Sequence, residues 1–242
     1  METLVECFVG AKAQTWRGLM AVISFMTTKG GAGKTTGSLL LATILAEQGA
    51  TVVMLDADPN QPLAKWAQTA NMPDRLKIIG GINEDNIQES IETYTATATF
   101  VVIDMEGSAN LTAAYAMSDS DAILIPLQPS KLDADEATKT LAFILRQQKT
   151  ARRQLPVRVV WSRMPAAYTT KTTRELGDQF EQAGIQFLTT RIIEREAFKG
   201  IVNFGETLSN LTDEQVPGLD KARENAHAFV SEALELLRET KK

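Results

Sequence analysis

The chain has 242 residues, 44% of them hydrophobic and 23% charged, with a formal net charge of −5, which suits one ordinary α/β domain with a full core and excludes a disordered composition. Its one cysteine, Cys7, rules out an internal disulfide and a Cys-rich metal or iron–sulfur site within one chain, and points to a reducing compartment, the cytoplasm. No apolar run approaches the ~18 residues a membrane helix needs, and an acidic chain holds nucleic acid only through a local basic patch.

Residues 1–19 stand apart as a leader of unknown role. They have no basic start followed by an apolar stretch, as a signal peptide would, and are too short for a helix-turn-helix domain. Met20 is a candidate functional start, so the domain is read as residues 20–242. From there strand and helix patterns alternate. The predicted strands are Ala21–Met26, Thr51–Leu55, Leu76–Ile79, Phe100–Ile103, Ala122–Ile125, Val157–Trp161 and Ile185–Leu188. The predicted helices are Thr35–Gln48, Asn83–Thr93, Asn110–Met117, Asp133–Thr150 and Thr169–Ala183, with a further one at the C-terminus. Several strands are short unbroken apolar runs, as expected of strands covered on both faces. The alternation predicts an α/β fold: a doubly wound, mostly parallel sheet with helices on both faces. Gly49 and Gly184 each follow a helix, where a left-handed cap residue belongs.

Between the first strand and the first helix lies Lys29-Gly30-Gly31-Ala32-Gly33-Lys34-Thr35-Thr36. Strand, Gly-rich loop and helix in this order distinguish a phosphate-binding loop from a Gly-rich turn with an incidental lysine. The glycines let successive backbone amides face phosphate oxygens, and the helix N-terminus adds its dipole. Lys34 is placed to neutralise the β- and γ-phosphates of ATP, and Thr35 to offer its hydroxyl to Mg²⁺. Where the common pattern has glycine, this chain has Thr28, followed by Lys29.

An extra lysine before the double glycine marks the deviant Walker A group, and from about Ala21 to its C-terminus the chain resembles the ParA/MinD family of P-loop ATPases. That resemblance implies slow, partner-stimulated ATP hydrolysis and an ATP-sandwich homodimer in which Lys29 reaches the partner's nucleotide. Val52-Val53-Met54-Leu55-Asp56-Ala57-Asp58-Pro59 is similar to the family's second signature, with Asp58 positioning the attacking water and Asp56 supporting the loop or the metal shell. Phe100-Val101-Val102-Ile103-Asp104 resembles a Walker B strand, whose carboxylate emerges at the C-terminal edge of the sheet to hold a Mg²⁺-bound water. The implied catalytic set is Lys29, Lys34 and Asp58, and the metal set Thr35, Asp56 and Asp104.

Beyond Asp104 the chain departs from the family with Met105-Glu106-Gly107-Ser108. Glu106 is open between the metal shell, a partner contact and a solvated loop. With Asn60-Gln61-Pro62-Leu63-Ala64-Lys65-Trp66, this variant resembles the branch of ParA-like ATPases found with T-DNA transfer and conjugation systems. Ile125-Pro126-Leu127-Gln128-Pro129-Ser130 resembles the loop after the family's next strand. Ser162-Arg163-Met164-Pro165 lies where adenine contacts are expected, giving Arg163 and Met164. Ile193-Glu194-Arg195-Glu196-Ala197-Phe198 with Gly205-Glu206-Thr207 resembles the closing segment near the base.

Arg146, Lys149, Arg152 and Arg153 cluster without an intervening acid; Lys171 and Arg174 form a second group. Family members lacking a DNA-binding domain bind DNA nonspecifically through such residues, although cations also gather at helix C-termini for the dipole alone. The last helix carries Ala222, Ala226, Phe229, Val230, Ala233, Leu234 and Leu237 on one face. A MinD-like membrane helix would be basic; this one carries Glu224, Glu232, Glu235 and Glu239, so packing on the sheet is expected. His227 on the same helix is read as structural or exposed. The reading is a ParA-type ATPase serving plasmid partition or conjugative DNA transfer, nucleoid-associated when ATP-bound, with a ParB-like or relaxase-type partner. The alternatives are a MinD-like membrane-associated positioning ATPase and a ligase-type enzyme, whose substrate pocket the sequence does not announce.

Overall fold

In the computed structural model, which describes residues 20–166 and 170–239, six strands form one sheet in the order β3-β2-β4-β1-β5-β6. They are β1 (Ala21–Phe25), β2 (Val52–Ala57), β3 (Leu76–Ile79), β4 (Phe100–Met105), β5 (Ala122–Leu127) and β6 (Val157–Trp161). Every pairing is parallel. The predicted leader, residues 1–19, lies outside the described residues, as does Thr169, the expected first residue of a helix.

Eight helices are described: α1 (Lys34–Glu47), α2 (Pro62–Ala67), α3 (Ile87–Thr95), α4 (Leu111–Asp119), α5 (Lys131–Ala151), α6 (Lys171–Gln182), α7 (Glu196–Phe204) and α8 (Leu219–Glu239). Alternate residues of each strand feed two separate cores, as the period-2 geometry of a strand demands. Ile23, Phe25, Met54, Val102 and Leu124 pack with α1, α2, α7 and α8. Val22, Val53, Leu55, Val101, Ile103, Ile123 and Ile125 pack with α3, α4, α5 and α6. The doubly wound arrangement read from the alternation is therefore the observed one. The apolar face expected of α8 is buried: Ala222, Phe229 and Leu237 are 0% exposed, and they belong to the same core as α1.

Ile185–Leu188 is a correction. It forms only an isolated parallel bridge between Phe187 and Val159. Two bonds tie it to β6: Val159 N–H to Gln186 O at 2.9 Å, and Leu188 N–H to Val159 O at 2.9 Å. Beyond Leu188 the chain turns away, because the amides of Thr189 and Thr190 are taken by the Glu232 carboxylate on α8. Two short helices, α2 and α7, went unforeseen. The first spans only Pro62–Ala67, and the second carries Gly200 mid-helix, a weak helix former. A side chain at Gly200 would crowd Val216 Cγ1 at 3.1 Å and Leu211 Cδ1 at 3.3 Å.

Candidate functional site

The loop between β1 and α1 is wrapped around the start of the helix. Gly31 (φ 77°) and Gly33 (φ 100°) take left-handed backbone, which a Cβ would strain. The first turn of α1 holds no acidic side chain, so the positive end of the helix has no anion of its own. Two neighbours fasten the loop's carbonyls. Ser162, after β6, donates its Oγ hydrogen to Ala32 O at 2.6 Å, and Gln128, after β5, donates from Nε2 to Gly31 O at 2.7 Å. Both residues come from strand ends at the C-terminal edge of the sheet, where a doubly wound fold gathers its ligand contacts.

Lys34 is buried and folds back so that Nζ donates to Lys29 O at 3.1 Å. Burial lowers its pKa, against the opposing pull of Asp104, Asp58 and Glu106. Thr35 donates its hydroxyl to Asp104 Oδ2 at 2.7 Å. The other oxygen, Asp104 Oδ1, is buried without a hydrogen-bond partner. Burial first, then the like charges of Asp56 and Asp58, push the Asp104 carboxyl up to about 7, against the Thr35 bond and Lys34. Asp56 lies beside Asp104 in the β2–β4 register. Its oxygens accept from the backbone amides of Asp58 (3.3 Å), Leu63 (2.8 Å) and Ala64 (2.9 Å). Asp56 thus anchors the turn that carries Asp58 and the first turn of α2. Asp58 is half-buried just past β2, and its Oδ1 accepts from Asn60 N–H at 2.8 Å.

The first half of the loop faces α5. Lys29 Nζ pairs with Asp133 Oδ2 at 2.7 Å, with side-chain exposures of 34% and 3%. Thr28 N–H donates to Thr140 Oγ1 at 3.0 Å, and its hydroxyl to Glu136 Oε2 at 2.7 Å. Asp133, Glu136 and Thr140 share one face of α5 at helical spacing. None of the three was singled out in the sequence, and neither were Ser162 or Gln128 as individual residues. The signal available was positional: each sits at a strand end or in the first turns of the helix that follows one.

Glu106 does not lie on a free solvated loop. It is half-buried, accepting from Ser108 Oγ at 3.0 Å and Asn110 Nδ2 at 3.1 Å. Beside it, Gly107 approaches the loop so closely that a Cβ would sit 3.1 Å from Gly30 N and 3.2 Å from Lys29 C.

The expected base contacts divide. Arg163 is exposed, in left-handed backbone (φ 50°). Met164 is 1% exposed and part of the core. Its amide donates to Ile192 O at 3.0 Å and its carbonyl accepts from Glu194 N–H at 2.8 Å. The structure thus spends Met164 on joining the β6 end to the 192–194 segment and leaves Arg163 beside the loop-binding Ser162. The two basic groups sit at opposite edges of the sheet. Arg146, Lys149, Arg152 and Arg153 are exposed at the C-terminal end of α5, about 20–30 Å along the helix from Asp133, the partner of Lys29. Arg153 is partly engaged, by Ser118 O and by Asp121 at 3.8 Å. Lys171 and Arg174 are exposed at the N-terminal end of α6, on the nucleotide-loop edge, where Lys171 pairs with Glu175 at 3.5 Å.

Comparison with known proteins bears on the family and the fold. The family model described as VirC1 protein matches residues 20–235. The chain is 30% identical over 210 residues to Protein ParA of Rhizobium radiobacter, covering 87% of this chain and 94% of that protein. It is 27% identical over 191 residues to Protein virC1 of Rhizobium rhizogenes, covering 77% and 82%. Among solved structures, a plasmid partition protein of Borrelia burgdorferi bound to AMPPNP superposes with a TM-score of 0.66 at 18% identity, covering 89% of this chain and 99% of that one.

Proposed function

The chain belongs to the VirC1 protein family of ParA-type P-loop ATPases, and from that membership we propose that it binds ATP with Mg²⁺, closes on a second copy of itself, holds duplex DNA nonspecifically while closed, and reopens on slow hydrolysis. The observation that carries the reading is the Thr35–Asp104 pair at the mouth of the loop: a hydroxyl and a carboxylate joined at 2.7 Å, with the second carboxylate oxygen buried and unpartnered. Such all-oxygen donors suit Mg²⁺, which keeps several waters and leans on substrate phosphates. When bound, the metal supplies charge neutralisation at the β- and γ-phosphate oxygens.

The chain's own residues supply the rest. Lys34, buried and bonded to a loop carbonyl, exchanges that carbonyl for phosphate oxygens. Asp58, held by the turn that Asp56 anchors, orients the attacking water. Lys29 leaves Asp133 to face the partner's nucleotide across the closed interface. Catalysis of this kind is positioning and charge neutralisation without a covalent intermediate. Exposed Leu111 and Leu132 open α4 and α5 on the same sheet edge as the loop, which supports that edge as the face a second copy covers. The basic end of α5 supports DNA contact, and the service is partition or conjugative transfer of DNA, with a ParB-like or relaxase-type protein stimulating hydrolysis in the cytoplasm.

The membrane alternative finds no support in α8, whose apolar face is buried in the core. Among the described residues no helix is long and apolar enough to cross a membrane. Sedimentation velocity and DNA anisotropy with a nonhydrolysable ATP analogue or ADP test the reading. The expected result is dimer and DNA binding with the analogue only, with a log–log salt slope of about −0.9 per neutralised phosphate. Arg152→Ala/Arg153→Ala should flatten that slope and spare dimerisation. A monomer that ignores the analogue would overturn the proposal, and an unchanged slope in the double variant would move the DNA surface to Lys171 and Arg174.

A further inference from the structure

Two residues to which the proposed function gives no task hold the nucleotide loop from outside. Gln128 and Ser162 are the first residues past the ends of β5 and β6, where Leu127 and Trp161 are the last pair in register. Ser162 N–H donates to Leu127 O at 2.8 Å and extends that ladder by one bond. The two residues are therefore neighbours across the ladder, and both side chains reach the loop. Ser162 Oγ donates to Ala32 O at 2.6 Å, and Gln128 Nε2 donates to Gly31 O at 2.7 Å. These bonds fall on two successive peptide units. Ser162 also packs tightly there: a Cβ at Gly33 would sit 3.3 Å from Ser162 Cβ.

A planar trans peptide points its C=O and its N–H in opposite directions. Holding the Ala32 carbonyl on Ser162 therefore turns the Gly33 N–H the other way, and holding the Gly31 carbonyl on Gln128 does the same for the Ala32 N–H. Neither amide has a hydrogen-bond partner among the described residues. The loop cannot fix these two planes by itself. Gly31 and Gly33, on either side of Ala32, take left-handed backbone (φ 77° and 100°). Glycine populates positive and negative φ about equally well, so both planes can flip unless something outside the loop holds their oxygens. Resting on the assignment of this loop to the nucleotide phosphates, we propose that Ser162 and Gln128 are positioning residues. They hold the carbonyls of Ala32 and Gly31 so that the amides of Gly33 and Ala32 already face phosphate oxygens when the nucleotide arrives. Donors set in advance spare the ligand the cost of ordering them. The end of the β5–β6 ladder thus acts on phosphate binding without touching phosphate.

The experiment measures the affinity of a nonhydrolysable ATP analogue, and its displacement by inorganic tripolyphosphate, at fixed Mg²⁺ in wild type, Ser162→Ala and Gln128→Met. Methionine keeps the length of glutamine and removes its donor. Both ligands should bind about tenfold more weakly in each variant, the scale of one hydrogen bond to a charged group. Tripolyphosphate has no base, so an equal loss for the two ligands places the effect in the loop. Thermal melting without ligand separates positioning from general loosening. Gln128→Met, changed at a half-buried side chain, should melt near wild type and still lose affinity, which a merely structural role would not produce. Wild-type affinity in either variant would overturn the proposal. So would a loss for the ATP analogue that tripolyphosphate does not share, because the effect would then lie at the base. Tripolyphosphate that fails to displace the analogue from wild type would overturn it too, since the loop would not hold phosphate alone. All three results leave the ATPase reading intact. Wild type that does not bind the ATP analogue would instead sink that reading and this proposal with it.

Discussion

The two halves of the phosphate loop are held by different kinds of neighbour. The second half, Lys34 and Thr35, is bonded to a loop carbonyl and to the Asp104 carboxylate, the partners that a nucleotide and its metal replace in the proposed function. The first half, Thr28 and Lys29, is bonded sideways to the acidic face of α5 through Glu136, Thr140 and Asp133. The difference separates binding from assembly. The second half is formed and waiting in the single chain. Lys29 is spent on an internal partner, and whatever it does for another molecule has to compete with Asp133.

The largest expected effect falls on the second half. Lys34→Ala should weaken ATP binding about a hundredfold, because about 3 kcal/mol of charge-assisted hydrogen bonding to phosphate is lost. Titration calorimetry on monomer at low protein concentration measures it. Lys29→Ala in the same assay should change affinity less than threefold, roughly the noise of a surface charge. Equal losses in the two variants would erase the distinction between the halves.

An intermediate effect falls on the competition for Lys29. Asp133 is 3% exposed and Lys29 34% exposed, so their attraction is partly screened and amounts to about 1 kcal/mol. Asp133→Asn keeps the shape of the side chain and releases the lysine. Dimerisation with a nonhydrolysable ATP analogue should then tighten by about fivefold, read as the sedimentation midpoint against protein concentration. Lys29→Ala should abolish the nucleotide-dependent dimer altogether. Weaker dimerisation in Asp133→Asn would mean that Asp133 serves the closed state and restrains nothing.

The same division explains what was legible beforehand. Lys34, Thr35 and Asp104 follow from local patterns: an apolar strand, a glycine run, a helix start, and a carboxylate after four apolar residues. Their geometry depends on two parallel strands and one helix, each encoded within about ten residues. The bonds of Thr28 and Lys29 cross more than a hundred positions to α5, and no local period records which face of a distant helix will meet the loop. Asp133 was visible only as the start of a helix. Asp56 illustrates a middle case. Its place on β2 was readable, but its bonds to Leu63 and Ala64 depend on α2, a helix too short to announce itself. Met164 was read as a base contact from its place after a strand; its pairing with Ile193 and its burial depend on a segment about thirty positions away and were not legible there.

The smallest expected effect asks whether the first half of the loop owes its sideways attachment to Thr28, the residue standing where the common pattern has glycine. Its hydroxyl donates to Glu136 Oε2 at 2.7 Å and lies within 3.1 Å of Glu136 O. That carboxylate is also bonded by Lys139 at 2.6 Å, and the two donors together lower its pKa. The amide of residue 28 bonds to Thr140 whatever the side chain. Thr28→Gly therefore removes only the hydroxyl link and adds backbone freedom in the unfolded chain, a penalty of about 0.5–1 kcal/mol for glycine. In a chain of this size the melting temperature should fall by about 2–4 °C. Thr28→Ser, which keeps the hydroxyl, should melt near wild type. Nucleotide affinity should be unchanged in both, because the hydroxyl faces α5 and not the phosphate side. A melting temperature in Thr28→Gly equal to wild type would show that Lys29–Asp133 and the Thr140 bond hold the first half by themselves. A parallel loss of ATP affinity would show that the two halves of the loop are one unit after all.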